Sequence, residues 1–310
     1  MRLRHLTYSR DDSQHVQQIL DLTRKRDSRE KFKISLESFL ESRESPIIGD
    51  KLRFGCLSWT YPDWLGSFYP AGSKSTDYLQ MYSKVFDLVE IDSSFYRTPT
   101  VQTVKQWKER APPNFLFTAK LPQKITHELR LSGVEGPLER FESTVTELGE
   151  KLVCIIAQLP PNSKFEKEVE KLEKFLGLIN PGIRYAIEFR NKSWLREETY
   201  QLLSKHNACF VWNVQEKIGE DLAPRLTTDF IYLRFMGRYG QFKKFNKVQI
   251  DRSEILGVWS KRLLEKLDSV NLALALVSNH FSGFAPETVN DLRRLTGREP
   301  TDWSILSSQQ

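Results

Sequence analysis

Leu152-Val-Cys-Ile-Ile-Ala-Gln158-Leu-Pro-Pro161 is a short apolar run closed by an amide and two prolines, and a helical stretch over 164–178 follows it. A run this short and this evenly apolar reads as a strand buried on both faces, as strands of parallel sheets are. Pro160-Pro161 then forms a rigid turn that cannot prolong the ladder.

The same unit recurs on either side. Further strand candidates are Leu52–Leu57, Val85–Ile91, Phe115–Lys120, Arg184–Phe189, Ala208–Asn213, Phe230–Phe235 and Leu272–Val277. Helical stretches at 75–84, 100–110, 137–150, 194–206, 252–267 and 286–295 follow most of them, with Thr100 and Asp251 placed to cap. Eight strands alternating with helices predict an α/β fold, a (β/α)8 barrel over 51–310. Between the sixth and seventh strands, 214–229 leaves little room for a helix and reads as an irregular loop. The rival is an open doubly wound sheet, but no Gly-rich phosphate loop follows the first strand.

Residues 1–50 are set apart by their charge, with ten Lys/Arg against nine Asp/Glu. Helical spacing at 13–22 and 31–41 marks them as a short helical N-terminal extension, ended by Ser45-Pro46 and Gly49-Asp50. The chain's net charge of +6 therefore resides mostly on the barrel, and a basic body favours anionic partners, DNA or RNA among them. Cys56, Cys154 and Cys209 are an odd, widely spaced set without a disulfide framework, which points to a reducing compartment. No apolar run is long enough to cross a bilayer and the N-terminus lacks a signal-peptide core, so the expected setting is cytoplasmic, away from the membrane.

Barrel enzymes carry their chemistry at the C-terminal ends of the strands. Those ends read Ser58 and Trp59, Glu90 and Asp92, Lys120, Gln158, Glu188 and Arg190, Asn213, Arg234, then Ser278, Asn279 and His280. Strand alternation puts Glu90 with Asp92 on one face and Val89 with Ile91 on the other, and likewise separates Glu188 and Arg190 from Ile187 and Phe189. If the apolar set meets the helices, the charges face the barrel mouth.

Two readings of that crowd stand side by side. In one, Glu90, Lys120, Glu188, Arg190 and Arg234 neutralise one another as a structural ion network. In the other, Arg190, Arg234 and Lys120 hold an anionic substrate, while Glu90 or Glu188 acts as general base or metal ligand. His127, in the loop after the third strand, is a candidate proton shuttle, and His280 follows the eighth. Trp59, Tyr61, Trp64, Phe68 and Tyr69 crowd the first loop, either to stack on a base or sugar or to pack on themselves as a lid.

The motifs Gly55-Cys-Leu-Ser-Trp59-Thr-Tyr61-x-x-Trp64, Val89-Glu-Ile-Asp-Ser-Ser-Phe-Tyr96-Arg97 and Phe117-x-x-Lys120-x-Pro122-x-x-Ile-Thr-His127 resemble the YecE-like family, domain of unknown function 72, of the UPF0759 type. The resemblance continues through Gln158-Leu-Pro-Pro161, Glu188-Phe-Arg190-x-x-Ser-Trp194, Tyr232-x-Arg234-x-x-Gly237 and Asn279-His280-x-x-Gly283-x-Ala-Pro286. It implies a TIM barrel and brings no established reaction. Leu57-Ser58 stands where that family commonly has Ser-Gly, and Ser278 stands where it has the first of two Asn.

Three functions follow. The first is a hydrolase of phosphodiesters or another nucleic-acid-processing enzyme, analogous to the endonuclease IV type of barrel. Its catalytic candidates are Glu90, Lys120, His127 and Glu188. Trp59, Tyr61, Asp92, Tyr96, Gln158, Arg190, Asn213, Arg234, Asn279 and His280 would bind substrate. With few His at the rim, the metal in such a site would be carboxylate-bound Mg or Mn. The second is a sugar or sugar-phosphate isomerase or lyase, with a Glu base and Lys120 as electrophile. The third is a non-catalytic nucleotide or nucleic-acid binding module.

Overall fold

The computed structural model describes residues 51–215 and 223–307. The extension read over 1–50, with its two helical stretches, lies outside the described residues.

Strands β1 (Leu52–Leu57), β2 (Leu88–Ile91), β3 (Leu116–Lys120), β4 (Leu152–Gln158), β5 (Tyr185–Glu188), β6 (Ala208–Phe210), β7 (Trp212–Val214), β8 (Phe230–Phe235) and β9 (Leu272–Val277) form one parallel sheet in the order β6-β5-β4-β3-β2-β1-β9-β8-β7. β6 and β7 are a single run of chain interrupted at Val211. Its first half pairs with β5 and its second with β8. Val211 N still donates to Ile187 O at 3.1 Å. The sheet therefore closes as a barrel with one step in its ring, and eight strands in the sequence become nine ladder segments.

Helices α1 (Tyr78–Val85), α2 (Val101–Arg110), α3 (Glu135–Val145), α4 (Phe165–Leu176), α5 (Glu197–Lys205), α6 (Ser253–Leu267), the single turn α7 (Asn279–Ser282) and α8 (Ala285–Leu295) connect the strands. Thr100 caps α2 by accepting from Thr103 N at 3.1 Å. No helix appears among the described residues between β7 and β8, as expected. None of the described helices is long and apolar enough to cross a membrane.

Two boundaries move for packing reasons. Val85 and Phe86 belong to the end of α1 and its cap, because α1 must turn Tyr78, Leu79, Tyr82 and Val85 toward the sheet. Tyr82 stitches that contact, accepting from Cys56 N at 2.7 Å and donating to Leu88 O at 2.9 Å. The third helix ends at Val145 and continues as a 3-10 turn, broken at Gly149 by a φ of 61°.

Burial divides each strand by parity. Val89, Ile91, Ile187 and Phe189 join the outer layer under the helices. Leu57, Leu88, Ile156, Ala186, Tyr232 and Leu276 fill the barrel interior. The outer-facing apolar set thus leaves Glu90, Glu188 and Arg234, two residues beyond Leu88, Ala186 and Tyr232, on the interior face.

Candidate functional site

Arg234, wholly buried near the end of β8, lies between two carboxylates. Its Nη2 donates to Glu90 Oε1 at 2.7 Å, and its Nη1 donates to Glu188 Oε2. Tyr232 donates to Glu90 Oε2 at 2.8 Å, with Thr118 Oγ1 2.8 Å behind the phenol. Asn213 Nδ2 and Arg190 Nε both donate to Glu188 Oε1, at 2.8 and 2.7 Å. Arg190 Nη2 reaches Gln158 Oε1 at 3.0 Å. Residues from six strands, β2, β3, β4, β5, β7 and β8, are thereby tied into one layer across the barrel.

The two carboxylates differ in proton affinity. Burial raises Glu90, and Arg234 only partly offsets this, so its carboxyl sits above the usual range. Burial also pushes Glu188 up, but Arg234, Arg190 and Lys120 together outweigh it and hold it down to about 2. For Arg234, the penalty of burial is outweighed by Glu188 and Glu90, which keep the guanidinium more firmly protonated than in water.

Above this layer opens a cavity of about 1020 Å³. Arg234, Arg190, Lys120 and Arg238 line it, against a single carboxylate, Asp92. Lys120 Nζ lies 2.9 Å from Asp92 Oδ1 and 4.1 Å from the centre of the Phe95 ring. The six charges of the layer and its rim (Glu90, Glu188, Asp92, Arg190, Arg234, Lys120) are three of each sign, with Glu90 and Glu188 buried behind the cavity and Asp92 at its rim. A ligand in the cavity meets Arg190, Lys120 and Asp92, while the two buried carboxylates stay out of its reach.

Of the residues singled out in the sequence, the cavity lining collects Tyr61, Asp92, Tyr96, Lys120, Gln158, Arg190, Arg234 and His280. Glu90, Glu188 and Asn213 are buried behind it. Asn279 is buried in the next layer, accepting from Trp64 Nε1 at 3.3 Å and Ala285 N at 2.8 Å. His127 sits beside the cavity on a π-helical turn, Lys124–Glu128, with Nδ1 2.8 Å from Thr126 Oγ1. Burial, followed by Lys120 and Arg190, lowers its proton affinity. His280 lines the cavity with its Nδ1 buried, and burial lowers it likewise. Both imidazoles are therefore neutral near pH 7.

Trp59 is placed elsewhere, in the outer layer, its ring 5.5 Å from Trp107 and 6.3 Å from Phe117. The cause is Ser58, whose φ of 69° breaks the strand's alternation. Glycine suits that conformation, and here a serine adopts it. The rest of the aromatic cluster packs on itself. Trp64 meets Phe68 and Tyr69, and Tyr69 donates to Trp59 O at 2.7 Å. Only Tyr61 of the five faces the cavity.

Lining residues that the sequence did not single out include Met236, Gly237, Arg238 and Tyr239 from the loop after β8. Their only signal was position, since Gly237 ends the Tyr232-x-Arg234-x-x-Gly motif. Gly237 is essential to the shape: a Cβ there would lie 1.5 Å from His280 O. Gly237→Ala is therefore expected to displace His280 and reshape this side of the cavity while the barrel stays folded. A crystal structure of the variant, beside its circular dichroism, checks this.

Among the described residues, no three His, Cys, Asp or Glu side chains converge to hold a metal. The single lining carboxylate is already engaged by Lys120, so the donor set does not fit a carboxylate-bound Mg or Mn. The three cysteines are buried and free, too far inside to act on a ligand.

A family model described as "Protein of unknown function DUF72" matches residues 53–309. The chain is similar to the UPF0759 protein YunF of Bacillus subtilis, with 26% identity over 269 residues, 78% of this chain and 93% of that protein. It is similar to the UPF0759 protein YecE of Escherichia coli, with 25% identity over 152 residues, 49% of this chain and 53% of that one. Among solved structures, a DUF72 family protein of Thermotoga maritima superposes with a TM-score of 0.69 at 28% identity, covering 80% of this chain and all of the other. One of Enterococcus faecalis gives 0.64 at 20% identity, covering 80% and 98%, and so speaks to the fold alone.

Proposed function

This chain belongs to the DUF72 family, a membership that carries no reaction with it, and from the site itself we propose that it is a hydrolase of phosphate esters of nucleotides or nucleic acid. One observation carries the reading: Lys120, Arg190, Arg234 and Arg238 converge on one cavity whose lining holds one carboxylate. Forked guanidinium donors suit phosphate oxygens. The cavity volume of about 1020 Å³ is ample for a nucleotide-sized ligand.

In this reading Glu90 and Glu188 are positioning residues. They hold Arg234 and Arg190 in place and do not touch the ligand. Arg190 and Lys120 bind the non-bridging oxygens. His280, neutral and with Nδ1 buried, takes a proton from the attacking water through Nε2 as the new P–O bond forms. The ester P–O bond breaks, and Lys120 gives its proton to the departing oxygen.

The test is a panel of a diester such as bis(p-nitrophenyl) phosphate with abasic, flap, single-stranded and RNA substrates, with and without a chelator. Arg190→Ala is expected to lower phosphate affinity by roughly ten- to a hundredfold, the loss of one or two charge-assisted hydrogen bonds, without unfolding the barrel. Phosphate binding that ignores Arg190 would sink the reading. Binding without turnover on every substrate would remove the hydrolase and leave a nucleotide-binding module.

A further inference from the structure

We infer that the natural ligand is a single-stranded nucleic acid, whose backbone leaves the cavity along the loop that follows β8. This rests on the reading of the cavity as a phosphate-ester site and extends it from one phosphate to a strand.

The loop reads Arg238-Tyr-Gly-Gln-Phe-Lys243-Lys244-Phe-Asn-Lys247, with four cations and no acid. All four cations are exposed. Among the described residues no carboxylate pairs with any of them. Yet the loop is pinned. Phe245 N donates to Asp63 Oδ2 at 3.0 Å, and Gln249 N and Ile250 N donate to Ser282 O at 2.8 and 3.1 Å. The Phe245 ring plugs the rim, 4.9 Å from His280 and 6.1 Å from Tyr61. The protein thus anchors a row of like charges that repel one another in water and that a polyanion relieves.

A second, independent feature chooses among polyanions. Tyr239 is 89% exposed and Tyr96 72% exposed, and both line the cavity, from the loops after β8 and β2. Exposed rings beside a phosphate-binding cavity offer faces on which unpaired bases stack, worth about 1–3 kcal/mol per base in single-strand-binding proteins. A duplex hides those faces. An acidic protein or an anionic membrane would use the lysines but would have no need of the rings.

Fluorescence anisotropy with labelled oligothymidylate of about twelve nucleotides, within the usual single-strand site sizes, tests this against thymidine monophosphate as competitor. The oligonucleotide is expected to bind about tenfold or more tightly than the monophosphate, with a steep salt dependence. Lys243→Glu/Lys244→Glu is expected to remove that advantage while leaving monophosphate binding unchanged, and Tyr239→Ala to weaken the oligonucleotide further. Equal affinity for monomer and oligomer, or an oligonucleotide indifferent to both variants, overturns the strand proposal and leaves the cavity reading standing. Equally tight, Lys243- and Lys244-dependent binding to phosphatidylserine vesicles overturns it in favour of a membrane surface. Loss of monophosphate binding in the wild type itself overturns the cavity reading and the strand with it.

Discussion

Arg234→Met is expected to destabilise the barrel by about 3–5 kcal/mol, the range for breaking a buried ion pair from one side. Methionine fills most of the space, so the loss is electrostatic. Glu90 and Glu188 are both wholly buried, and each gives one oxygen to this guanidinium. Without it, Glu90 keeps only Tyr232 as a hydrogen-bond donor, while Glu188 keeps Arg190 and Asn213. Urea unfolding at neutral pH measures the change. A loss below about 1 kcal/mol, the value of an exposed pair, would contradict the buried network.

The pH dependence gives the same prediction a sign. Glu188 has a folded value of about 2, below its unfolded one, so its stabilisation is fully present above the unfolded value and is lost as pH falls toward 2. Glu90 lies the other way: its raised value means that the folded state takes up a proton first, which adds stability as pH falls through that raised value. The wild type should therefore gain Glu90's share through mild acid and lose Glu188's share only at stronger acidity. In Arg234→Met, Glu90 loses its guanidinium partner and favours protonation more strongly, so the variant should gain more stability on the same mild acidification. Parallel pH profiles of variant and wild type would be inconsistent with Arg234 lying between the two.

Gly55→Ala carries the second large effect and acts on the backbone. Gly55 lies in β1 opposite Leu88 of β2, and a Cβ there would sit 1.9 Å from Leu88 O. Neither atom belongs to a flexible side chain, so the methyl must push two paired strands apart. Overpacking that side chains absorb costs about 1–3 kcal/mol, and this site lies at or beyond the upper end. Loss of soluble protein or a Tm drop of roughly 10 °C or more is expected. A variant as stable as the wild type would mean that the β1–β2 ladder is looser than described. The contrast with Gly237→Ala is useful: one glycine holds two strands together, the other keeps a loop against His280.

Much of this architecture was legible before any coordinates. The strands at Leu52–Leu57, Leu152–Gln158, Phe230–Phe235 and Leu272–Val277 fall where their apolar runs begin and end. The inward set Glu90, Glu188 and Arg234 follows from period two alone, because Val89 and Ile187 are too apolar to face the mouth. Alternation failed where the backbone left the β region. Ser58 turns left-handed and carries Trp59 into the outer layer. The step at Val211 likewise hides from a pattern of side chains, because it changes which neighbour a strand pairs with and leaves its composition untouched.

Local periodicity, strand length and turn chemistry are properties of a few consecutive residues, and these determined the barrel and the crown of charged tips. Which of those tips touch a ligand was decided only in three dimensions. Arg234 meets carboxylates 144 and 46 residues away, and their depth beneath it depends on how the whole ring closes. The loop that supplies Arg238 and Tyr239 has no periodicity to read, since its shape comes from Asp63, Ser282 and His280, brought to it by other strands. Covalent neighbours dictate which face a side chain takes, whereas layering of charge around a cavity is a property of the closed barrel.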